Sequence, residues 1–294
     1  MSDHVSAEIV SQPDLWRRAA GLARGVSDAL PQAGERVAVV GCGTSWFMAM
    51  AYAALREEAG IGETDAFAAS EMPTGRRYDR IVAITRSGTT TEVLQLLRRE
   101  STPSVALTAV ADAPIRDVAT HLIPLRFADE RSVVQTRFAT TTLALLRASL
   151  GHDMDTAAVD AEKALQLPVA SHLDAPQVTF LGRGWTVGLA HEAALKTREA
   201  AQFWAEAYPA MDYRHGPIAI AEPGRLVWNF GEPIEGLADD VAATGASLVT
   251  SDLDPLAQLV IAQRFAVALA HRRGLDPDRP RHLSRSVVLP TAQP

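Results

Sequence analysis

Short β-branched apolar runs alternate with helical stretches along most of the chain. The run "RIVAI" is bounded by polar residues and predicts a buried strand. The stretch "TTTEVLQLLRRE" follows it closely, with apolar residues near helical spacing, Thr89 or Thr90 able to cap and Glu92 in the first turn. These features predict a helix. The residues between the two elements therefore form a strand-to-helix turn.

The order of strand, glycine turn and helix occurs twice, at "RVAVVGCGTSWFMAMAYAALREE" and at "VTFLGRGWTVGLAHEAALKTREA". A helical segment is predicted near residues 136–167, and further strands are predicted at "DAFAAS", "SVALTAV", "HLIPL", "RLVWNF" and "ASLVT". This alternation is typical of parallel sheets with helices on both faces. We therefore expect an α/β protein with a repeated plan. Its first domain, with an N-terminal helical segment, spans residues 1–160 and its second spans 161–294, the junction lying near 152–172.

Hydroxyl side chains crowd the turn after "RIVAI". Thr85, Ser87, Thr89 and Thr90 surround Gly88 within six residues. The free N–H groups and positive dipole end of a helix favour an anion, and glycine lets the backbone approach it closely. The turn therefore predicts a phosphate site, although a helix cap with spare threonines would account for the same residues.

The neighbouring glycine turn "GCGTS" adds Thr44 and Ser45 to the same region. Ligands of open α/β sheets bind outside the carboxyl ends of the strands, where both turns are expected. The second copy has "NFGEPIEG" instead, which lacks hydroxyls and adds two carboxylates, so that only the first copy is expected to bind phosphate. Neither glycine turn has the spacing of a dinucleotide fingerprint, and no GK[ST] follows a glycine loop.

Composition excludes several classes of function. The net charge of -7 and pI near 5.6 argue against general nucleic-acid binding, which needs a basic face. No apolar stretch approaches a membrane span and the N-terminus lacks the pattern of a signal peptide, so that a cytoplasmic protein is expected. The single cysteine, Cys42, excludes an internal disulfide and a cysteine-rich metal site, and is expected to be a small buried residue.

Only two of the 28 basic residues are lysines, Lys163 and Lys196. Because an imine requires a lysine amine, any Schiff-base mechanism has two candidates.

The stretch "HEAALKTREAAQFWAEAYPAMDYRHGPIAI" carries the remaining candidate chemistry. Glu192, Lys196 and Glu199 follow i, i+4, i+7 spacing and share one helix face. They would form either an exposed salt-bridge ladder or, at a ligand-binding edge, a general base, since a carboxylate beside an anionic sugar ionises less readily. His215 is either the partner acid, because histidine changes charge near neutrality, or a structural residue beside a proline turn.

Four motifs in order carry a resemblance: "CGTSWFMAMAYAALRE", "SGTTTEVLQLLR", "LGRGWTVGLAHEAALKTREAAQFWAEAYPAMDYRHGPIAI" and "DPDRPRHLSRSVVL". Together they resemble the tandem sugar isomerase (SIS) domains that form the isomerase half of glucosamine-6-phosphate synthase, over residues 8–289. The resemblance implies two SIS domains, each a flavodoxin-like three-layer sandwich, and a homodimer. It also implies a carbohydrate-derivative enzyme with phosphosugar-binding sites and neither cofactor nor metal.

The resemblance assigns the sugar phosphate to hydroxyls of the first domain, at Ser45, Thr85, Ser87 and Thr90. Arg86 stands where the family usually has glutamine, and would add charge to the phosphate site, read another substituent or pair with a protein carboxylate.

Further positions line the sugar pocket or carry the chemistry by the same resemblance. Val133 matches a residue that lines the pocket through its backbone. Glu199 matches the carboxylate that moves a proton between C1 and C2, and Lys196 matches a lysine near the substrate. His215 matches the ring-opening histidine, which reaches across from the second subunit and makes the active site composite.

Two departures from the synthase shape the expected function. A glutaminase domain is absent from the sequence, so that release of ammonia from glutamine is not expected. Arg285 stands where the synthase has its imine-forming lysine, and it would instead stay protonated or pair with a carboxylate. We therefore expect an aldose–ketose isomerase for a hexose 6-phosphate already carrying nitrogen, as in stand-alone amino-sugar-phosphate isomerases, deaminases and fructosamine deglycases. The alternative is a non-catalytic sugar-phosphate sensor, against which the retained Glu199 and His215 argue.

Overall fold

The computed structural model describes residues 3–289, which form two parallel β-sheets surrounded by helices. The strands are β1 (Val37–Gly41), β2 (Thr64–Ala68), β3 (Arg80–Ile84), β4 (Ser104–Thr108), β5 (His121–Pro124), β6 (Val178–Gly182), β7 (Ala205–Pro209), β8 (Leu226–Asn229) and β9 (Ser247–Val249). The helices are α1 (His4–Val10), α2 (Gln12–Ala23), α3 (Thr44–Glu58), α4 (Thr91–Arg99), α5 (Arg137–Ser149), α6 (Met154–Ala164), α7 (Thr186–Ala201), α8 (Leu237–Thr244) and α9 (Pro255–Arg272).

The two sheets have related strand orders. The first runs β2-β1-β3-β4-β5 and the second runs β7-β6-β8-β9, with all neighbouring strands parallel. In each sheet the chain leaves a central strand for one edge and then crosses to the other side, so that a crevice opens between β1 and β3 and between β6 and β8. The predicted α/β class with parallel sheets and flanking helices is confirmed.

Some elements differ from the expected ones. The predicted helical segment near 136–167 is two helices, α5 and α6, and Asp153 caps the second through its side chain. The edge strand β7 was not predicted, because "AEAYP" contains no β-branched residue and follows a long helical pattern without a turn signal. Its pairing with β6 supplies what the local sequence lacks.

The core joins the two sheets. One large cluster of buried residues contains Val39 and Ile84 from the first sheet and Phe180 from the second, together with residues of the surrounding helices. Two smaller clusters cover the other faces, one under α4 and one under α8. At the contact of α3 with α7, a Cβ on Gly188 would lie 2.4 Å from the Phe47 carbonyl oxygen. The helices that carry the two glycine turns are therefore packed backbone to backbone.

Within residues 3–289, no helix is both long and apolar enough to cross a membrane.

Candidate functional site

The hydroxyl-rich turn lies at the carboxyl end of β3, directly before α4. Gly88 has a φ of +66°, and a Cβ there would lie 2.6 Å from the Ala113 side chain, so that only glycine fits. Thr90 occupies the N-cap position of α4 but makes no side-chain capping bond. The helix thus begins without using this hydroxyl, and the expectation that these threonines serve as side-chain caps is not met.

A cavity of about 200 Å³ opens beside this turn, in the crevice between β1 and β3. It brings together five segments of the chain: the turn after β1, the turn after β3, the loop after residue 132, the end of α7 and the C-terminal segment. Eight of the predicted site residues line it: Ser45, Thr85, Arg86, Ser87, Thr90, Val133, Glu199 and Arg285.

Arg86 turns its guanidinium into the protein. Its Nη1 donates to Glu130 Oε2 and to the Ser132 carbonyl, both at 3.2 Å, and its Nη2 donates to the Val133 carbonyl at 3.1 Å. Both side chains of the Arg86–Glu130 pair are almost completely buried. Of the interpretations left open by the sequence, pairing with a protein carboxylate is the one this geometry supports. Val133, which also lines the cavity, thus has its carbonyl oxygen bonded to this arginine.

Arg285 is paired in a similar way. Its guanidinium contacts the Glu130 carbonyl oxygen and the Asp129 carboxylate. Its own carbonyl accepts a hydrogen bond of 3.1 Å from Arg86 Nη2. The two arginines thus connect the wall of the cavity to the C-terminal segment, and both guanidinium groups bond to protein oxygen atoms.

Two buried carboxylates hold the cavity wall between residues 129 and 136. Glu8, from α1, accepts from the Arg131 N–H at 2.6 Å and from the Ser132 hydroxyl at 2.5 Å. Glu130 accepts from the Thr136 N–H at 2.6 Å. These bonds connect the loop to α1 and to the start of α5, beside the cavity.

Glu199 reaches the cavity from the last turns of α7, and Lys196 lies behind it. The Lys196 ammonium contacts the Glu199 carboxylate and lies 3.6 Å from Glu192 Oε1. Lys196 and Glu192 are completely buried, whereas the Glu199 side chain keeps 18% of its exposure. The three residues therefore share one face as predicted, but they do not form an exposed salt-bridge ladder. Lys196 supports Glu199 and does not itself line the cavity.

Burial raises the pKa of Glu192 to about 8, with Lys196 acting in the opposite direction. Within residues 3–289 neither carboxylate oxygen of Glu192 has a hydrogen-bond partner of ordinary geometry. The nearby Thr44 side chain, like Lys196, lowers the pKa of Glu192, but burial outweighs both. Burial alone would lower the pKa of Lys196, but its two carboxylate neighbours outweigh burial and raise it. At neutral pH the arrangement is therefore a neutral Glu192 beside a charged Lys196, whose ammonium contacts the Glu199 side chain at the cavity surface.

His215 is not brought to this cavity. It ends a short 3₁₀ turn, Asp212–His215, and is exposed on the surface of the second half of the chain. Within one chain the structure therefore separates the predicted ring-opening acid from the predicted base.

Sequence reasoning did not select several residues that matter at the site. Glu8 and Glu130 could not be recognised in the sequence, because their partners lie far away along the chain and are brought to them only by the fold. Gln135 and Ser286 also line the cavity. Cys42 lines it as well; burial raises the pKa of its thiol to about 11, so that it is not a thiolate nucleophile. Among the described residues, no group of three His, Cys, Asp or Glu side chains is placed to hold a metal ion.

The corresponding edge of the second sheet is built differently. Its cavity of about 740 Å³ has the Arg147–Asp254 ion pair in its wall and the Glu58 and Glu232 carboxylates on its lining. The Thr186 hydroxyl of this turn donates to the Phe230 carbonyl and accepts from the Arg183 N–H. Among the residues that the structure describes, no cluster of hydroxyls comparable to that of the first sheet lines this cavity.

Comparison with known proteins gives related results at the levels of sequence and fold. No family model matches the chain. A glutamine–fructose-6-phosphate aminotransferase (isomerizing) of Sulfurisphaera tokodaii is 28% identical over an alignment of 295 positions, gaps included. The alignment covers 87% of this chain and 50% of that protein. The chain spans about half the length of the curated relatives it matches.

Solved structures of sugar-phosphate proteins have the same fold. Glucosamine-6-phosphate deaminase from Thermotoga maritima superimposes with a TM-score of 0.82 at 21% identity, covering 98% of this chain and all of the other. The C-terminal domain of glucosamine-fructose-6-phosphate aminotransferase from Francisella tularensis also gives 0.82 at 21% identity, covering 95% and 99%. The chain thus has the α/β fold of these proteins and isomerizing aminotransferases among its sequence relatives, in agreement with the resemblance seen in its motifs.

Proposed function

We propose that the chain is a phosphosugar isomerase that moves a proton between C1 and C2 of a hexose 6-phosphate, and that this substrate carries an amino or amine substituent. The observation that carries this proposal is the presence of the hydroxyl-rich turn and of Glu199 on the walls of one small cavity. The names of the relatives, which include an isomerizing aminotransferase and a deaminase, support the substrate class.

The phosphate is held, in this proposal, by the hydroxyls of Thr85, Ser87 and Thr90 before α4 and of Ser45 in the first turn of α3. Neutral donors and a helix dipole suit a dianion, because they stabilise its charge without a fixed counterion. Remote binding of the phosphate positions the reacting carbons, since interactions away from the reacting bond lower the entropy cost of the chemical step.

Glu199 is the base. Its carboxylate takes the proton from C2 of the open-chain aldose, or from C1 of the ketose; the C–H electrons form the double bond of an enediol, and the carbonyl oxygen takes a proton from water. When the enediol collapses, the hydroxyl on the other carbon gives its proton back to water and becomes the new carbonyl. The same carboxyl group returns its proton to the neighbouring carbon. Lys196, which is itself buried away from water, positions this carboxylate through their direct contact.

An imine between protein and substrate has no part in this mechanism. Arg285 cannot form one. Lys196 is buried against Glu199 and its pKa is raised by its acidic neighbours, so that it stays protonated, whereas only a neutral amine is nucleophilic. Lys163, the other lysine, lies on α6 and pairs with Asp160. Any nitrogen involved is therefore expected to arrive with the substrate, and deamination or deglycation would follow enolisation.

Ring opening is assigned to His215 of a second subunit. The residue is exposed and stands outside the cavity of its own chain, so that its use as an acid requires a homodimer with shared sites. The same proposal treats each sheet as one SIS domain, within residues 1–160 and 161–294, and places the protein in the cytoplasm.

A two-part experiment tests the function. Binding of fructose, glucosamine, galactosamine and fructosamine 6-phosphates is measured by calorimetry, and conversion of each sugar is followed with wild type, Ser87→Ala and Glu199→Gln. We expect Ser87→Ala to weaken binding and Glu199→Gln to bind normally with turnover lowered by orders of magnitude. Binding of a sugar without conversion by wild type would replace the isomerase with a sugar-phosphate sensor.

Subunit mixing tests the composite site. Glu199→Gln and His215→Ala are each expected to be inactive, and mixed dimers to regain activity, because one of their two sites then has both wild-type residues. Failure of the mixture to regain activity, with exchange of subunits verified, would place both residues in one chain's site or remove His215 from the reaction.

A further inference from the structure

The C-terminal segment, residues 283–289, returns from the second half of the chain to the first sheet, and its residues 283–287 line the cavity. The Thr91 N–H donates to the Val287 carbonyl at 3.2 Å, and the Leu289 N–H donates to the Thr91 hydroxyl at 2.9 Å. The segment therefore runs beside the first residue of α4, at the end of the helix where the phosphate is proposed to bind.

Ser286 places its side chain among the hydroxyls of the turn. Its Oγ lies 3.0 Å from Ser87 Oγ, 3.0 Å from Thr89 Oγ1 and 3.4 Å from Thr90 Oγ1. Three hydroxyls thus converge on one oxygen atom, and two of the three belong to the proposed phosphate site. A phosphate oxygen bound by the same turn would take the same contacts.

The remaining space is small for a sugar phosphate. The cavity holds about 200 Å³ with the segment in place, whereas ligand pockets usually hold about 300–1,000 Å³. Leu283, Ser284 and Val287 contribute to the lining together with Ser286, so that movement of this segment would enlarge the site.

Side chains of the first half hold the segment in this position. Arg86 donates to the Arg285 carbonyl, and the Arg285 guanidinium contacts Asp129 and the Glu130 carbonyl. Inside the segment, the Ser284 hydroxyl donates to the Ser286 carbonyl at 2.9 Å. Both arginines that depart from the resembling family therefore take part in docking the segment.

We propose that Ser286 occupies the phosphate position in the ligand-free protein and that an incoming phosphoryl group displaces it. The inference rests on the proposed phosphate site and adds that ligand binding and docking of residues 283–289 compete for the same hydroxyls. The Ser286 hydroxyl then lowers the affinity for phosphate by competing for the same hydroxyls, and phosphate binding enlarges the cavity for the sugar.

The test measures binding of inorganic phosphate and of fructose 6-phosphate to the full chain by calorimetry. Ser286→Ala removes the hydroxyl that competes with the phosphate. Because one hydrogen bond has a net effect of about five-fold on an equilibrium constant, we expect the variant to bind at least about five-fold more tightly than wild type. Ser286→Asp puts a carboxylate oxygen, a stronger acceptor, among the same hydroxyls and is expected to weaken binding about ten-fold or more. Val288→Ala, at an exposed position of the same segment, should bind as wild type does.

The opposite signs of the two Ser286 variants support the proposal. Weaker binding by Ser286→Ala would make the residue a ligand contact, and unchanged binding would show that its contacts do not compete; either result overturns the inference while leaving the phosphate site intact. Absence of binding to wild type and to Ser286→Ala would refute the phosphate site as well. Hydrogen exchange at the Leu289 amide, which should quicken on addition of phosphate, reports the displacement independently.

Discussion

Replacement of Glu192 by glutamine tests the electrostatic arrangement behind the cavity. The folded protein raises the pKa of Glu192 from its ordinary 4.5 to about 8, chiefly through burial. Between these pH values the unfolded chain releases the proton and the folded chain keeps it, so that stability falls as pH rises. One proton corresponds to about 1.4 kcal/mol per pH unit, which amounts to about 5 kcal/mol over the whole interval.

Glutamine has nearly the same shape and cannot titrate, so that Glu192→Gln removes this pH dependence. Urea unfolding of wild type and variant is measured from pH 5 to pH 7.5. We expect the free energy of unfolding of wild type to fall, relative to that of the variant, by about 1.4 kcal/mol for each pH unit.

A second substitution on the same helix controls for simple loss of packing. Thr197 is completely buried and donates to the Ala193 carbonyl at 2.8 Å. Thr197→Ser keeps the hydroxyl and removes one methyl group, which should cost about 1 kcal/mol at every pH without a change of slope. Parallel curves for wild type and Glu192→Gln would refute the reasoning, and would mean that Glu192 is ionised beside Lys196 in the folded protein.

Three further predictions follow from contacts at the site. Arg86→Ala should lower the free energy of unfolding by about 3–5 kcal/mol, because it leaves the buried Glu130 carboxylate without its cation, whereas Arg86→Gln should cost less; urea unfolding compares the two. Ser87→Ala should weaken phosphate binding by about 10–100-fold, the range for a hydrogen bond to a charged group, with little change in melting temperature; an unchanged dissociation constant would contradict the phosphate site. Gly188→Ala should cost about 1–3 kcal/mol or more, since its methyl group would meet the Phe47 carbonyl at 2.4 Å, and thermal unfolding that matches wild type would contradict the close packing of α3 on α7.

The elements that position the site could be predicted where the chain signals them locally. "RIVAI" and the hydroxyls after it gave β3, the turn and α4 because strand propensity, glycine and helical spacing all occur within twenty residues. β7 could not be recognised in this way, since its strand conformation depends on pairing with β6.

The contacts at the site that join distant parts of the chain could not be predicted from the sequence. Glu192, Lys196 and Glu199 have the same spacing in an exposed ladder and in a buried charge cluster, and only the packing of α7 decides between them. Arg86 and Arg285 were recognised as unusual, but their common partners in the loop at 129–133 are set by the fold. The contact of Ser286 with the turn joins residues 199 positions apart, a distance at which periodicity carries no information.

Solvent exchange tests the central claim, that this cavity binds a sugar phosphate and exchanges a proton through Glu199. Proton NMR in D₂O follows the C1 and C2 hydrogens of each hexose 6-phosphate with wild type and with Glu199→Gln. The account predicts loss of one of these signals for at least one sugar with wild type, and no loss with the variant although it still binds the sugar. Exchange that persists in Glu199→Gln would contradict the assignment of the base, and binding without exchange by wild type would contradict the enzyme.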